Sequence, residues 1–421
     1  MVSIATVLAL GAGACGSGSD AGRVSEGTAA PTSAGSPTTG PSASTSSTLT
    51  TPSTLDAAAS VASMAALPLN PAVPKPVNVY GAIRTGMMSP AVADALPRVY
   101  VPNLLSNTVT VIDPATYKVI GQFAVGRGPQ HVVPSWDLST LWVTNNAEGR
   151  TDGSLTPIDP KTGRPGAAVK VDDPYNMYFT PDGSSAIVVA EARRRLDFRD
   201  PHTMQLQFSV PVTGCAGVNH ADFAADGTFV IFTCEFGARL VKVDLVSHTV
   251  AGYLGLGGGA MPQDIRISPD GATFYVADMA TGGVHIVDGA TFTETAFLPT
   301  GVGTHGLYPS RDGTKLYIAN RGSSSLPGSP LGQGSVSVLD FATKRLVTTW
   351  PIPGGGSPDM GNVSVDGRVL WLSGRYDGVV YAIDTTSGAV LATIPVGREP
   401  HGLTVWPQPG SYSLGHTGNM R

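Results

Sequence analysis

Met261 to Asp278 reads MPQDIRISPDGATFYVAD. Ile265 and Ile267 lead into Ser268, the tight sequence Pro269-Asp270-Gly271 follows, and Phe274-Tyr275-Val276-Ala277 resumes a β-prone run. Proline presets φ at the turn, and glycine takes the φ > 0 corner that a residue with Cβ resists. Two β-rich runs around such a turn predict an antiparallel hairpin.

The unit recurs. Its turn returns as Ser135-Trp136-Asp137, Pro181-Asp182-Gly183, Ala225-Asp226-Gly227, Arg311-Asp312-Gly313 and Val365-Asp366-Gly367. Its second strand returns as RVYVPN from Arg98, LWVTNN from Leu141, AIVVAE from Ala186, VIFTCE from Val230, LYIANR from Leu316 and LWLSGR from Leu370. Starts at 99, 141, 186, 230, 274, 316 and 370 are 42 to 45 apart, except for a final 54. A period of about 40–45 residues with four strands per unit predicts a β-propeller. The long spacing contains Ser323 to Gly334, SSSLPGSPLGQG, read as a loop insertion of neutral length variation, with a lid over one face as the alternative.

The ends of the repeat fix the blade number. Val99-Tyr100-Val101 opens a unit with no innermost strand before it, and Pro400 to Trp406 is an innermost strand with no partners after it. Pairing the two closes the ring and removes an exposed sheet edge. The expected fold is therefore all-β, a seven-bladed propeller of four-stranded antiparallel blades over 98–407. LWVTNN at Leu141 and DIRISPDGATFYVAD at Asp264 resemble the YVTN-repeat β-propeller family, and the resemblance spans about Arg98 to Pro407. It implies the fold; propellers host many unrelated activities, so function must be read from particular residues.

Of the 421 residues 14% are charged, Gly numbers 52 and Pro 34, and the net charge is −5. That balance offers no basic surface to nucleic acid. Val2 to Ala14 is short, small and apolar, fitting a signal-peptide core too short to span a bilayer. The small residues before Cys15 resemble a bacterial lipobox, with Ala12 where Leu is usual, so 1–15 is read as a signal ending in a lipidated Cys15. Simple secretion is the alternative. Residues 16–66, rich in Ser, Thr, Gly, Ala and Pro, cannot bury enough surface to fold and read as a tether. Residues 67–97 read as an arm on the propeller and 408–421 as a polar tail that could fold back over a face. The expected location is the outer side of a bacterial cytoplasmic membrane, with the lipid anchor as membrane partner and a protein or small ligand at a propeller face. In an exported protein the pair Cys215 and Cys234 suggests a disulfide, placed together by the hairpin between them; two buried thiols are the alternative.

One structural slot holds the candidate chemistry. The innermost strands begin with Gln130-His131, Tyr175-Asn176, Asn219-His220, Gln263-Asp264, His305-Gly306, Asp359-Met360 and His401-Gly402. Four of eight histidines fall there. Strand ends returning to the same face add Glu191, Glu235, Asp278, Arg321 and Arg375. Neutral imidazoles with carboxylates suit zinc, copper or iron, so His131, His220, Asp264, His305, Asp359 and His401 are candidate metal ligands. Asn176, Asn219, Gln263, Asp278, Arg321 and Arg375 are candidate contacts to a bound ligand. Propeller enzymes such as nitrous oxide reductase ring a copper cluster with histidines at such a mouth, and some propeller lactonases are similar in fold. Three readings follow: a non-catalytic site for a metal, small ligand or partner; His/Asp pairs acting as general base and orienting acid in a metal-dependent or acid–base envelope enzyme; and plain polar lining of a water-filled channel. No nucleophile elbow, P-loop, H-E-x-x-H or haem attachment motif occurs. His202, His248 and His285 fall outside the slot and read as surface residues, and Arg193-Arg194-Arg195 as a solvated loop.

Overall fold

Ser268 closes the deciding hairpin twice. Its N–H donates to Thr273 O at 2.7 Å, and its Oγ accepts from Thr273 N–H at 2.9 Å, while Gly271 sits at φ +74°. The computed structural model describes residues 78–147 and 150–421. The expected signal, Cys15, tether and first part of the arm lie outside them.

Seven antiparallel sheets result, six of four strands and one whose outermost strand is split into Arg164–Pro165 and Val169–Lys170. Burial grades outward along each blade. In the 261–299 blade the two inner strands, Pro262–Ile267 and Thr273–Asp278, are buried throughout, whereas the outermost, Thr293–Pro299, is largely exposed. Apolar β-branched residues fill the space between adjacent sheets, the burial that drives the ring together. The ring closes as expected: Thr404–Trp406 pairs with Arg98–Asn103 in the register Arg98↔Trp406, Val99↔Val405 and Tyr100↔Thr404.

Neighbouring blades are also clamped through polar side chains. Asp222 Oδ2 accepts from Ile267 N–H, Asp264 Oδ2 from Leu307 N–H and Asn362 Oδ1 from Val405 N–H, each at 2.9 Å. Asp264 Oδ1 further accepts from Ile265 N–H at 2.9 Å and from Arg266 at 2.8 Å. Its oxygens are thus committed to holding blades together, a role different from the metal ligand expected of it.

Three other expectations change. His285 is buried, its Nε2 3.0 Å from Asp278 Oδ2 and its Nδ1 2.8 Å from Glu294 Oε1. Burial opposes a charged ring there, but the two hydrogen bonds outweigh it and raise the His285 pKa. Asp278 is consequently taken up within its own blade and not at the channel mouth, where it also caps Met261, Ala280 and Thr281 N–H groups. Two of the three arginines in the run are paired: Arg193 and Arg195 both meet Asp172 at 3.2 Å. His202 and His248 are exposed, as read.

Both ends of the described residues pack on the ring. Val79 N–H donates to Pro269 O at 2.9 Å, and the buried Tyr80 donates its hydroxyl to Ile267 O at 2.6 Å. The tail does not merely cover a face. It runs along the innermost strands, with His416 N–H on Met177 O (2.8 Å), Asn419 on Asp222 (2.8 Å) and Arg421 on Asp222 (2.7 Å). Cys215 and Cys234 stand buried in disulfide geometry, their Cα atoms 4.9 Å apart.

Candidate metal centre

The innermost strands converge so closely that side-chain size at their entrances is restricted. A Cβ on Gly402 would lie 2.1 Å from the His131 ring, and one on Gly306 would lie 2.4 Å from Asp359 O. Glycine at Gly402 is what makes room for the His131 ring. Five imidazoles crowd the axis. The ring of His131 lies 4.9 Å from that of His401, 5.4 Å from His220 and 5.3 Å from His416. His220 lies 4.9 Å from His416 and 5.9 Å from His305, and His305 lies 5.7 Å from His401. All five are buried.

His416 is the member that sequence reading missed. It belongs to no repeat, and only its place between Gly415 and Gly418 in a short polar tail marks it. Its ring stacks on Tyr178 at 6.0 Å.

Two sets of three offer ligand atoms that lie within 4.8 Å of one another: His131, His220 and His416, and His305, Asp359 and His401. Burial pushes the His131 imidazole down to about 3, and burial followed by Arg321 pushes His305 down to about 4. His220, His401 and His416 are also held well below the usual range, chiefly by burial, with further cationic or imidazole neighbours in each case. Every ring is therefore neutral at neutral pH, the form that ligates metal.

The second set lies beside the mouth. Asp359 is fully buried, and burial alone would favour its protonated form. Arg321, 2.9 and 3.1 Å from its Oδ1, with His305 and Arg375 nearby, holds the carboxyl well below the usual range instead. His305 Nδ1 stands 2.9 Å from Asp359 Oδ1 without the alignment of a hydrogen bond. Asp359 Oδ2 and His401 Nε2, 3.6 Å apart, are both buried and have no hydrogen-bond partner. A buried carboxylate oxygen and imidazole nitrogen without partners carry a cost that a ligand would relieve, as do the unpartnered Nε2 atoms of His131, His220 and His416 in the deeper set, which offers no carboxylate.

Above this set a cavity of about 250 Å³ is lined by His305, His401, Arg321, Arg375, Glu235 and Gln263, with Phe236 and Leu326 also on its wall. Leu326 belongs to the Ser323–Gly334 insertion, which thus reaches the mouth. The remaining expected ligand contacts are engaged with one another. Gln263 and Asn219 donate to Glu235 at 3.0 and 3.2 Å, and Asn176 lies deeper, against His220 and His416. The structure therefore brings together His131, His220, His305, Asp359 and His401, sets Asp264 beside them at 3.6 Å from His416 Nε2, and leaves Asp278 apart.

A family model described as the YNCE-like beta-propeller matches residues 57–409. Among solved structures, Kuenenia stuttgartiensis hydrazine synthase is similar at TM-score 0.55 and 20% identity, over 71% of this chain and 94% of that one. The periplasmic gluconolactonase of Pseudomonas aeruginosa is similar at 0.60 and 19%, over 73% and 98%. A putative 6-phosphogluconolactonase from Bacteroides uniformis is similar at 0.58 and 15%, over 73% and 98%. At such identities the likeness is one of fold. No curated protein matches the chain.

Proposed function

Because the chain belongs to the YNCE-like β-propeller family, a scaffold that fixes no single chemistry, we propose from its own residues that it is an exported metal-binding propeller. Its centre is His305, Asp359 and His401. The observation that carries this reading is the unpartnered pair, Asp359 Oδ2 and His401 Nε2, with His401 and His305 lining the mouth cavity and Asp359 buried behind them. Two imidazoles and one carboxylate suit zinc, iron or copper. The module binds and presents the ion and does no chemistry of its own. A second reading, a metal-dependent or acid–base enzyme of the cell envelope, is favoured by the cavity, which gives a small substrate room beside the same ligands.

The test is elemental analysis of untagged protein purified without chelator. About one equivalent of transition metal per chain is expected, falling below a tenth in His305→Ala/His401→Ala with the fold retained by circular dichroism. A metal-free parent that takes up no zinc, copper or iron on titration overturns the reading. Turnover of a lactone and ester panel, lost in the same variant, would move the assignment to the enzyme.

The leader-like 1–15, the Ser/Thr/Pro-rich 16–66 and the cysteine pair support export with a lipid on Cys15. The protein is expected in the membrane fraction, released to the soluble fraction by Cys15→Ser, with Cys215 and Cys234 resistant to alkylation until reduced. Equal distribution of parent and variant would sink the anchor. Prompt alkylation of both thiols would sink the disulfide.

A further inference from the structure

The five rings are equivalent in burial but not in hydrogen bonding. His131 Nδ1 lies 3.0 Å from the carbonyl oxygen of Tyr175, and His401 Nδ1 lies 2.9 Å from Gln130 Oε1. His131 Nδ1 faces a backbone carbonyl and carries the proton, leaving the Nε2 lone pair free; His401 Nδ1 does the same with the Gln130 amide oriented oxygen-first, as it stands. A metal-ligating histidine is held in this way, with its other nitrogen donating to a carbonyl or carboxylate.

His220 and His416 face the opposite kind of group. Both Nδ1 atoms meet the amide nitrogen of Asn176, at 3.3 and 2.9 Å. The orientation of that amide is pinned by Asn176 Oδ1, which accepts from Met177 N–H at 2.8 Å. An amide nitrogen only donates; its two hydrogens are shared among His416 Nδ1 at 2.9 Å, Tyr178 Oη at 3.2 Å and His220 Nδ1 at 3.3 Å, and because an N–H on either Nδ1 would face this donor, the neutral rings carry their protons on Nε2. The surroundings of His416 agree, since its Nε2 points toward Asp264 Oδ1 at 3.6 Å. Asn176 is fully buried and holds both rings from one side.

We infer that Asn176 is a positioning residue that divides the cage by tautomer. His401 keeps its lone pair toward Asp359, His131 alone of the deeper set keeps one, and Asn176 makes His220 and His416 N–H donors that exclude a metal from that His131–His220–His416 set. The inference deepens the metal reading above, in that it says which of two geometrically adequate sets is loaded and what selects it. The deeper set has the distances of a site and the wrong protons.

The first test needs no metal. Long-range ¹H–¹⁵N spectra of histidine-labelled, chelator-treated protein are expected to show His131 and His401 protonated on Nδ1, and His220 and His416 on Nε2. Finding His220 and His416 protonated on Nδ1 overturns the inference whatever the metal content.

The second test is a Co²⁺ titration of parent, Asn176→Asp and Asn176→Ala. In Asn176→Asp a carboxylate replaces the donor and accepts from both Nδ1–H groups, freeing both Nε2 lone pairs. Asn176→Ala removes the donor without adding charge. Binding of one equivalent by the parent and two by Asn176→Asp, with a detectable second site in Asn176→Ala, is expected. Two equivalents in the parent, or one in all three, overturns the division of the cage. If Co²⁺ binds none of them, the metal reading of the preceding subsection fails while the tautomer spectra still decide this one.

Discussion

Ending the chain at Pro400 is expected to abolish the folded monomer. The lost segment contains the strand that closes the ring, and with it Leu403, Val405, Trp406 and Leu414, all buried to within 3%. At about 1.5–3 kcal/mol for each such side chain, the loss is comparable to the 5–15 kcal/mol that typically separates folded from unfolded domains. The truncation also strips the inner edge of Arg98–Asn103 and opens a strand to pairing with other chains. Size-exclusion chromatography should show aggregate or no soluble protein. A chain ending at Pro407 keeps Thr404–Trp406 but loses His416 and the contacts of Asn419 and Arg421 to Asp222. It should remain a monomer with a lowered melting temperature. A native-like monomer from the shorter chain would show that ring closure contributes little.

What could be read from sequence follows from what repeats. The hairpin signal of Ser268 to Thr273 recurs because each blade solves the same problem, so blade number and closure followed from spacing alone. The slot at the innermost strands was legible for the same reason, and it brought His131, His220, His305, Asp359 and His401 to one place. What failed was whatever depended on a single copy. His416 lies in a tail outside the period, and nothing local indicates that a polar segment will line a channel. Asp264 and Asp359 occupy successive positions of the slot, the second and the first, so Asp264 meets the next blade's Leu307 N–H and Arg266, whereas Asp359 meets Arg321, His305 and His401. Strand alternation encodes which side each faces; the partners 43 residues from Asp264 and 38 from Asp359 lie on a neighbouring blade and in no local pattern. His285 was misjudged likewise, because its burial depends on Asp278 and Glu294 arriving on adjacent strands.

The second large effect concerns Asp359. In metal-free protein Asp359→Ala is expected to cost about 3–5 kcal/mol, the scale for removing one partner of a buried ion pair. Arg321, 2% exposed, would keep hydrogen bonds only to Tyr376 Oη at 3.3 Å and Met279 Sδ at 3.2 Å, with Glu235 as the remaining, non-contacting carboxylate in its field. Adding Arg321→Met removes the stranded guanidinium and should recover more than half of the loss, since a buried pair replaced as a unit costs far less than a pair broken. A double variant no more stable than Asp359→Ala would mean that the cost comes from packing and not from the charge. The pH dependence gives an independent check. The folded carboxyl titrates well below its ordinary value of about 3.9, so its stabilisation is complete above that value and is lost as pH falls toward the folded pKa. Urea unfolding of parent and Asp359→Asn should therefore differ by a constant amount above about pH 5, with the gap narrowing by about pH 3 and closing only at still lower pH. A gap that stays constant from about pH 5 down to about pH 3 would place the carboxyl's folded pKa at its unfolded value and remove Arg321 as the reason it is ionised.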